Sequence, residues 1–302
     1  MATFLALQQD LGGQCGLDQT TTADATLLKR WINKSQQKVL RAFEWPFNRA
    51  STPLVVQTVT DYTTGTVATD QTTAITFSAT ITASKAGQYI QFSSSSDWYK
   101  ITAHTAGTAT ATLEIAALYT AAAATYTIRK FYYSTDSTVD RIIAIKQSVL
   151  PYQLIETGPE YFDSFNPGHL ASGTPRMYMP SGIDSSGYPQ FQLWPNPDAA
   201  INLSIEYLKV ATDLSADADV SVIPAKWHTS VLLEGAKVEA YEFLDDTRQE
   251  LSIKQFNAGI EEMETEYETS LHRHRVMTSA DNQPVGGNLG YMPLPFNYPR
   301  NS

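Results

Sequence analysis

Leu28-Lys-Arg-Trp-Ile-Asn-Lys-Ser-Gln-Gln-Lys-Val-Leu-Arg-Ala-Phe43 is the stretch on which the fold turns. Leu28, Trp31, Ile32, Ser35, Val39 and Phe43 recur at spacings of three and four, so they form one stripe of a helix. Arg30, Lys34, Lys38 and Arg41 repeat with the same period on another face. Asp24 stands where an N-cap is expected, and Pro46 ends the helix because the residue before a proline resists helical geometry. One helix is therefore predicted within residues 1–50.

Moving outward, residues 54–130 change character. Thr, Ser and Ala dominate, and short alternating runs lie between Gly65, Gly87 and Gly107, among them Ala74-Ile-Thr-Phe77, Gln88-Tyr-Ile-Gln-Phe92, Trp98-Tyr-Lys-Ile-Thr102 and Thr112-Leu-Glu-Ile115. Period-two alternation of Thr, Tyr, Phe and Ile suits strands with one buried face, and short strands at regular spacing suit a small barrel or sandwich. Residues 131–223 read as β-rich with longer loops. Arg141–Lys146, Pro189–Pro195 and Ile201–Tyr207 are strand candidates, and Asn196-Pro-Asp-Ala199 predicts a hairpin between the last two. In 201–207, Ile201, Leu203, Ile205 and Tyr207 share a face.

Two helices follow. The first is expected over 225–244, opened by Pro224, with Trp227, Val231, Val238 and Tyr241 on one side. Thr247-Arg-Gln-Glu250 has capping-box spacing for the second, whose seam is Ile253, Phe256, Ile260, Met263, Tyr267 and Leu271. Its polar surface carries Glu261, Glu262, Glu264, Glu266 and Glu268. Beyond it, residues 279–302 are rich in Gly, Pro and Asn yet hold Tyr291, Met292, Leu294, Phe296 and Tyr298. The expected fold is α+β: a helical bundle of the N-terminal helix and two C-terminal helices, packed with a β-rich part. That core carries an inserted all-β domain and an extended tail. The expected division is 1–53, 54–130, 131–223, 224–278 and 279–302.

The 302-residue chain is 17% charged with a formal charge of −10, which argues against a general nucleic-acid coat, since phosphate binding needs surplus cations. A single cysteine, Cys15, excludes an internal disulfide framework and reads as an inert thiol. No stretch approaches the ~18 apolar residues of a membrane span, and no basic residue precedes Lys29 as a secretory signal would require. Phosphate loops, dinucleotide turns and nucleophile elbows are absent. His272 and His274 are two apart and point to different sides of a helix, so neither metal nor cofactor is expected. Asp213, Asp217 and Asp219 lack the central glycine and terminal glutamate of a calcium loop. Glu156, Glu160 and Asp163 are the only carboxylates weighed for hydrolysis, and Trp98 and Tyr99 the aromatics weighed for stacking on a carbohydrate. What remains are surfaces: the basic stripe of Arg30, Lys34, Lys38 and Arg41 complements the glutamate-rich helix, so copies can pair head to tail.

The run Leu28–Phe47, then Phe191-Gln-Leu-Trp-Pro-Asn-Pro-Asp198, Leu203-Ser-Ile-Glu-Tyr207, Ile223-Pro-Ala-Lys-Trp-His228 and Glu239-Ala-Tyr-Glu-Phe-Leu-Asp-Asp246 resembles, in order and spacing, the head–tail adaptor proteins of tailed bacteriophages. The resemblance implies a non-enzymatic virion protein assembled in the host bacterial cytoplasm, forming a ring, expected to be dodecameric, at the head–tail interface. It implies docking on the portal protein after packaging, contact with a downstream tail or nozzle protein, and a channel through which genomic DNA passes without sequence-specific binding or membrane contact. Arg30, Lys34, Lys38, Arg41, Glu261, Glu264 and Glu268 are then the expected subunit or portal interface. Tyr291, Met292, Leu294, Phe296 and Tyr298 are the expected portal-docking points. Residues 54–130 depart from the compact members as an inserted β-domain.

Overall fold

The computed structural model describes residues 2–118, 120–148, 152–165 and 171–280, with side chains described as far as Tyr267 in the last helix. In chain order, helices α1 (Phe4–Cys15) and α2 (Thr22–Ala42) precede strands β1 (Leu54–Gln57), β2 (Val67–Asp70), β3 (Ala74–Ile81), β4 (Tyr89–Phe92) and β5 (Trp98–His104). Strands β6 (Thr108–Leu113), β7 (Thr120–Ala124), β8 (Tyr126–Arg129), β9 (Tyr132–Ser134) and β10 (Val139–Gln147) come next. Then follow β11 (Ile155–Glu156), helix α3 (Pro159–Phe165), β12 (Ser172–Gly173), β13 (Met177–Ile183), β14 (Pro189–Trp194), β15 (Asn196–Pro197) and β16 (Asn202–Lys209). Helices α4 (Glu234–Leu244) and α5 (Gln249–Ala280) complete the described chain. Two compact units result, Met1–Phe47 with Asp213–Ser302, and Asn48–Thr212.

The first unit is helical. Along α2 the predicted stripe is the buried one, with Leu28, Trp31, Ile32, Ser35 and Val39 at its centre. Its start differs from expectation: Thr21 is the N-cap, its hydroxyl accepting the Asp24 amide at 3.3 Å. Asp24 sits instead in the first turn, where a carboxylate offsets the positive end of the helix dipole, and its Oδ2 accepts the Asp18 amide at 3.0 Å. Helix α1 was not anticipated. Phe4, Leu7 and Leu11 have helical spacing and are buried, Thr3 caps the start, and Gly16 at φ +72 turns the chain out of the far end.

The stretch read as one helix over 225–244 is three segments: a 3-10 turn at Ala225–Trp227, a π-helical turn at His228–Leu233 and then α4. The wider π turn leaves a carbonyl for an outside donor, and the Ser35 hydroxyl donates to Leu232 O at 2.7 Å. Thr247 is not the cap of α5. The helix starts two residues further on at Gln249, and Asp246 closes the turn before it, its Oδ1 accepting the Arg248 amide at 2.9 Å. On α5 the buried face runs through Ser252, Gly259 and Met263, whereas Ile253 is exposed. Gly259 is there because α5 lies against the π turn: a Cβ on it would meet Ser230 O at 2.7 Å.

The second unit is all β apart from α3. A three-stranded sheet β1-β16-β10 and a four-stranded sheet β11-β13-β14-β9 share a core of Tyr133, Ile145, Leu154, Tyr178, Phe191, Leu193, Leu203 and Ile205. The predicted inward face of 201–207 supplies Leu203 and Ile205. The predicted hairpin does not form, because β14 lies between β13 and β9 while β16 pairs with β1 and β10. The Asn196-Pro197 turn instead pairs in parallel with Ser172-Gly173. Strand β1, inside the segment 54–130, belongs to the β16 sheet.

The rest of that segment builds a nearly closed seven-stranded barrel, β7-β2-β3-β6-β5-β4-β8. Residues 120–129 form one run that bends at Thr125. Its first half pairs with β2 and its second with β4, which brings the sheet round on itself. Alternate residues point inward, so Val67, Ile75, Phe77, Ile90, Phe92, Tyr99, Ile101, Leu113, Tyr126 and Ile128 fill the interior. At its base Tyr62 and Ile128 exchange backbone hydrogen bonds of 2.9 and 2.8 Å. Beside them Arg129 is held by both carboxylate oxygens of Asp61, at 2.8 and 2.5 Å. The chain thus enters and leaves the barrel through one paired backbone segment.

Candidate assembly interface

Residues of α2 on the polar side separate into two kinds. The ammonium groups of Lys34 and Lys38 each hold one oxygen of Glu239, a side chain only 3% exposed. Burial pushes the Glu239 carboxyl up, but hydrogen bonds and charge from the two lysines outweigh it and hold the group below its ordinary value. Those two lysines are committed within the chain. Arg30 and Arg41 are exposed and form no ion pair among the described residues. Of the face predicted from Trp227, Val231, Val238 and Tyr241, three positions are buried, but Val238 is only half-buried and its neighbour Glu239 takes the inward place. The helix actually turns Ala236, Glu239 and Ala240 inward.

A notch of about 220 Å³ opens beside that ion triad, lined by Leu27, Arg30, Trp31 and the α4 residues Glu242 and Phe243. Phe243 is 64% exposed and its ring lies 5.7 Å from that of buried Trp31. Leu244, Leu251 and Ile253 are also exposed.

On α5, Glu261 and Glu262 are exposed and Glu264 is half-buried. Glu266 is paired with Lys226, whose ammonium also lies 5.2 Å from the Trp227 ring and 5.8 Å from that of Tyr267. Tyr267 closes an aromatic group with Trp45 and Phe47, at centroid distances of 6.0 and 5.6 Å. The side chain of Glu268, and Tyr291, Met292, Leu294, Phe296 and Tyr298, lie outside the described residues.

The groups considered for chemistry are engaged structurally. Asp213 accepts from Gln37 at 2.7 Å, Asp217 pairs with Lys29 at 3.5 Å, and Asp219 accepts the Ser215 and Ala216 amides at 2.7 and 2.8 Å. The carbonyls of Asp219 and Asp217 in turn receive the Phe4 and Leu5 amides at the start of α1. This is a capping loop, and among the described residues no cluster of ligand side chains could hold a metal ion. Glu156 accepts the Tyr178 hydroxyl at 2.7 Å, while Glu160 and Asp163 stand on the exposed turn α3. Burial pushes the Cys15 thiol up, against the pull of Arg248 and Lys237, so the nucleophilic thiolate is disfavoured. Tyr99 belongs to the barrel core, and Trp98 is packed edge-on to Phe131 at 5.0 Å with the Arg129 guanidinium 5.5 Å from its ring. No helix among the described residues is long and apolar enough to cross a membrane.

Two comparisons with known proteins bear on these surfaces. A family model described as SU10 adaptor protein matches residues 106–280, more than half of the chain. The match runs from β6 of the barrel through α5 and so includes β9–β16, the π turn, Glu239 and the glutamates of α5. No curated protein matches the chain.

Proposed function

The chain belongs to the SU10 adaptor protein family, a family of phage head–tail adaptors, and on that premise we propose that it acts as one copy of a closed ring. Membership makes it a structural component of the virion that contacts other virion proteins. In the proposed role the ring, of twelve copies, docks on the portal after packaging and joins it to the tail around a channel for DNA. The family match is the observation that carries this reading.

The helical unit supports it in physical terms. Arg30 and Arg41 have no partner within the described chain, while Glu261 and Glu264 offer the opposite charge on another helix. Exposed pairs contribute only ~0.2–1 kcal/mol each, so they set register and steer encounter, and the apolar surface around Phe243 supplies contact area. Closure then holds each copy from two sides, which multiplies a weak contact. A net charge of −10 suits a channel through which DNA must slide rather than stick.

Electron microscopy of the purified chain, alone and mixed with its portal protein, tests the proposal directly. Rings seated on the portal are expected, and particles that stay monomeric with the portal present overturn it. The double variant Arg30→Glu/Arg41→Glu is expected to shift assembly toward monomer by tenfold or more in midpoint concentration while the melting temperature stays within 2–3 °C, since both side chains are exposed and unpaired. Unchanged ring formation and docking would remove α2 from the interface. Deleting residues 279–302 is expected to weaken portal attachment while the remaining chain melts as cooperatively as before. Loss of the cooperative transition would assign the tail to the fold instead.

A further inference from the structure

A groove of about 680 Å³ runs between the barrel and the four-stranded sheet, within the second unit. That volume falls in the range of small-molecule sites and well above a packing defect. Its lining is polar, with Tyr89 and Lys100 from the barrel, Lys130 and Tyr132 from the segment leaving it, and Asp184 and Gln190 from the β13–β14 hairpin.

The charges in it do not cancel by contact. Lys100 pairs with Glu114 at 3.2 Å. Asp184 is held in its own turn, its Oδ1 accepting the Ser186 and Tyr188 amides at 2.8 and 2.9 Å, and these bonds keep it ionised. Lys130 is half-buried and forms no ion pair among the described residues. Its ammonium lies 4.9 Å from the Tyr133 ring centre, and burial alone pulls it below its ordinary value, with no carboxylate offsetting the cost. An ammonium built into a groove wall without an anion is a position that an incoming anion completes.

The rest of the lining defines what else that anion must carry. Tyr89 packs on Phe131 at 4.9 Å and on Tyr132 at 5.9 Å, so Tyr132 is the outer ring of an aromatic group at the groove wall. Burial, with the neighbouring Tyr132 hydroxyl it bonds, pushes the Tyr89 hydroxyl up to about 12, so the pair adds no negative charge beside Lys130. Gln190 lines the groove and donates its amide N–H to Ser134 at 3.1 Å, so its amide oxygen is the acceptor it has left. Acceptors such as Asp184 and Gln190 suit a ligand with many hydroxyl donors, and the Asp184 charge repels a phosphate of about −1.5 to −2 more than a single carboxylate. We propose that this groove binds an acidic saccharide, its sugar carboxylate on Lys130 and its hydroxyls on Gln190 and Asp184, with a ring face resting on Tyr132. The site is separate from the helical unit and does not depend on ring formation.

Titration calorimetry of the full chain with a hexuronate oligosaccharide tests it, with a neutral glucan of equal length, inorganic phosphate and a glutamate-rich peptide as the other arms. The uronate is expected to bind in the micromolar to millimolar range and the neutral glucan at least tenfold more weakly. Lys130→Gln, which keeps the stem and removes the charge, is expected to lose tenfold or more for the uronate, and Tyr132→Ala to weaken both sugars together. Absence of uronate binding, or binding that Lys130→Gln leaves intact, overturns the site. Phosphate or the peptide binding as tightly as the uronate overturns its assignment to a saccharide. Should Lys130→Gln fold poorly by circular dichroism, Gln190→Ala with the wild-type lysine gives the second reading: it is expected to weaken the uronate and leave its preference over the neutral glucan unchanged, and equal affinity to wild type overturns the hydroxyl contacts.

Discussion

Replacing Lys34 and Lys38 together by methionine is expected to destabilise the helical unit by about 3–5 kcal/mol at neutral pH, because it leaves the nearly inaccessible Glu239 carboxylate without a cation. The pH dependence separates this from simple loss of packing. In the wild type the folded-state value of Glu239 is depressed below its ordinary 4.5, so its stabilisation is present above that value and disappears as pH falls through the depressed one. In the double variant burial acts unopposed and raises the value. The deficit is then present at neutral pH and shrinks as acid protonates the group. Urea unfolding at pH 7 and pH 4.5 therefore shows the two proteins converging. A constant gap across that range would mean that the lysine stems, not their charges, support α4.

The second large effect is expected at Gly259. A valine there is expected to cost about 2–3 kcal/mol, since its Cβ falls 2.7 Å from the Ser230 carbonyl oxygen and 3.1 Å from Val231, both fixed in the π turn. Helix propensity alone predicts the opposite sign, as glycine is worse than most residues by up to ~1 kcal/mol in a helix interior. Gly13 in α1 supplies the control, with nothing within 4 Å of its would-be Cβ, and Gly13→Ala is expected to stabilise by about 0.5–1 kcal/mol. Thermal or urea melts of the two variants should move in opposite directions. A gain at Gly259 would show that α5 is not pressed against the π turn.

What could be read beforehand follows the range of each interaction. The α2 stripe was legible because burial on one helix face repeats in the local sequence, and the strands of the barrel showed their alternation for the same reason. Helix α1 was legible in principle, from Thr3, Phe4, Leu7 and Leu11, but the glycines at 12, 13 and 16 masked it. Two of those lie inside the helix and the third ends it. The hairpin expected at Asn196 failed because turn chemistry is local whereas strand pairing is not: β16 had better partners far along the chain in β1 and β10. Nothing local marks Lys34 and Lys38 as partners of a residue about two hundred positions away, so all four cations were read as one intersubunit face, whereas among the described residues only Arg30 and Arg41 of the four form no ion pair. Phe243 lay outside the predicted apolar face, and its exposure beside Trp31 appears only once α2 and α4 are packed together. The groove at Lys130 draws on several separate strands and turns, and no spacing rule could have assembled it.

Where the strand at Tyr62 lies against that at Ile128, the two ends of a large stretch of polypeptide stand side by side, locked by Asp61 and Arg129. A stretch anchored this way can be exchanged whole between genes, or dropped for a short link, with little disturbance to the sheets around it.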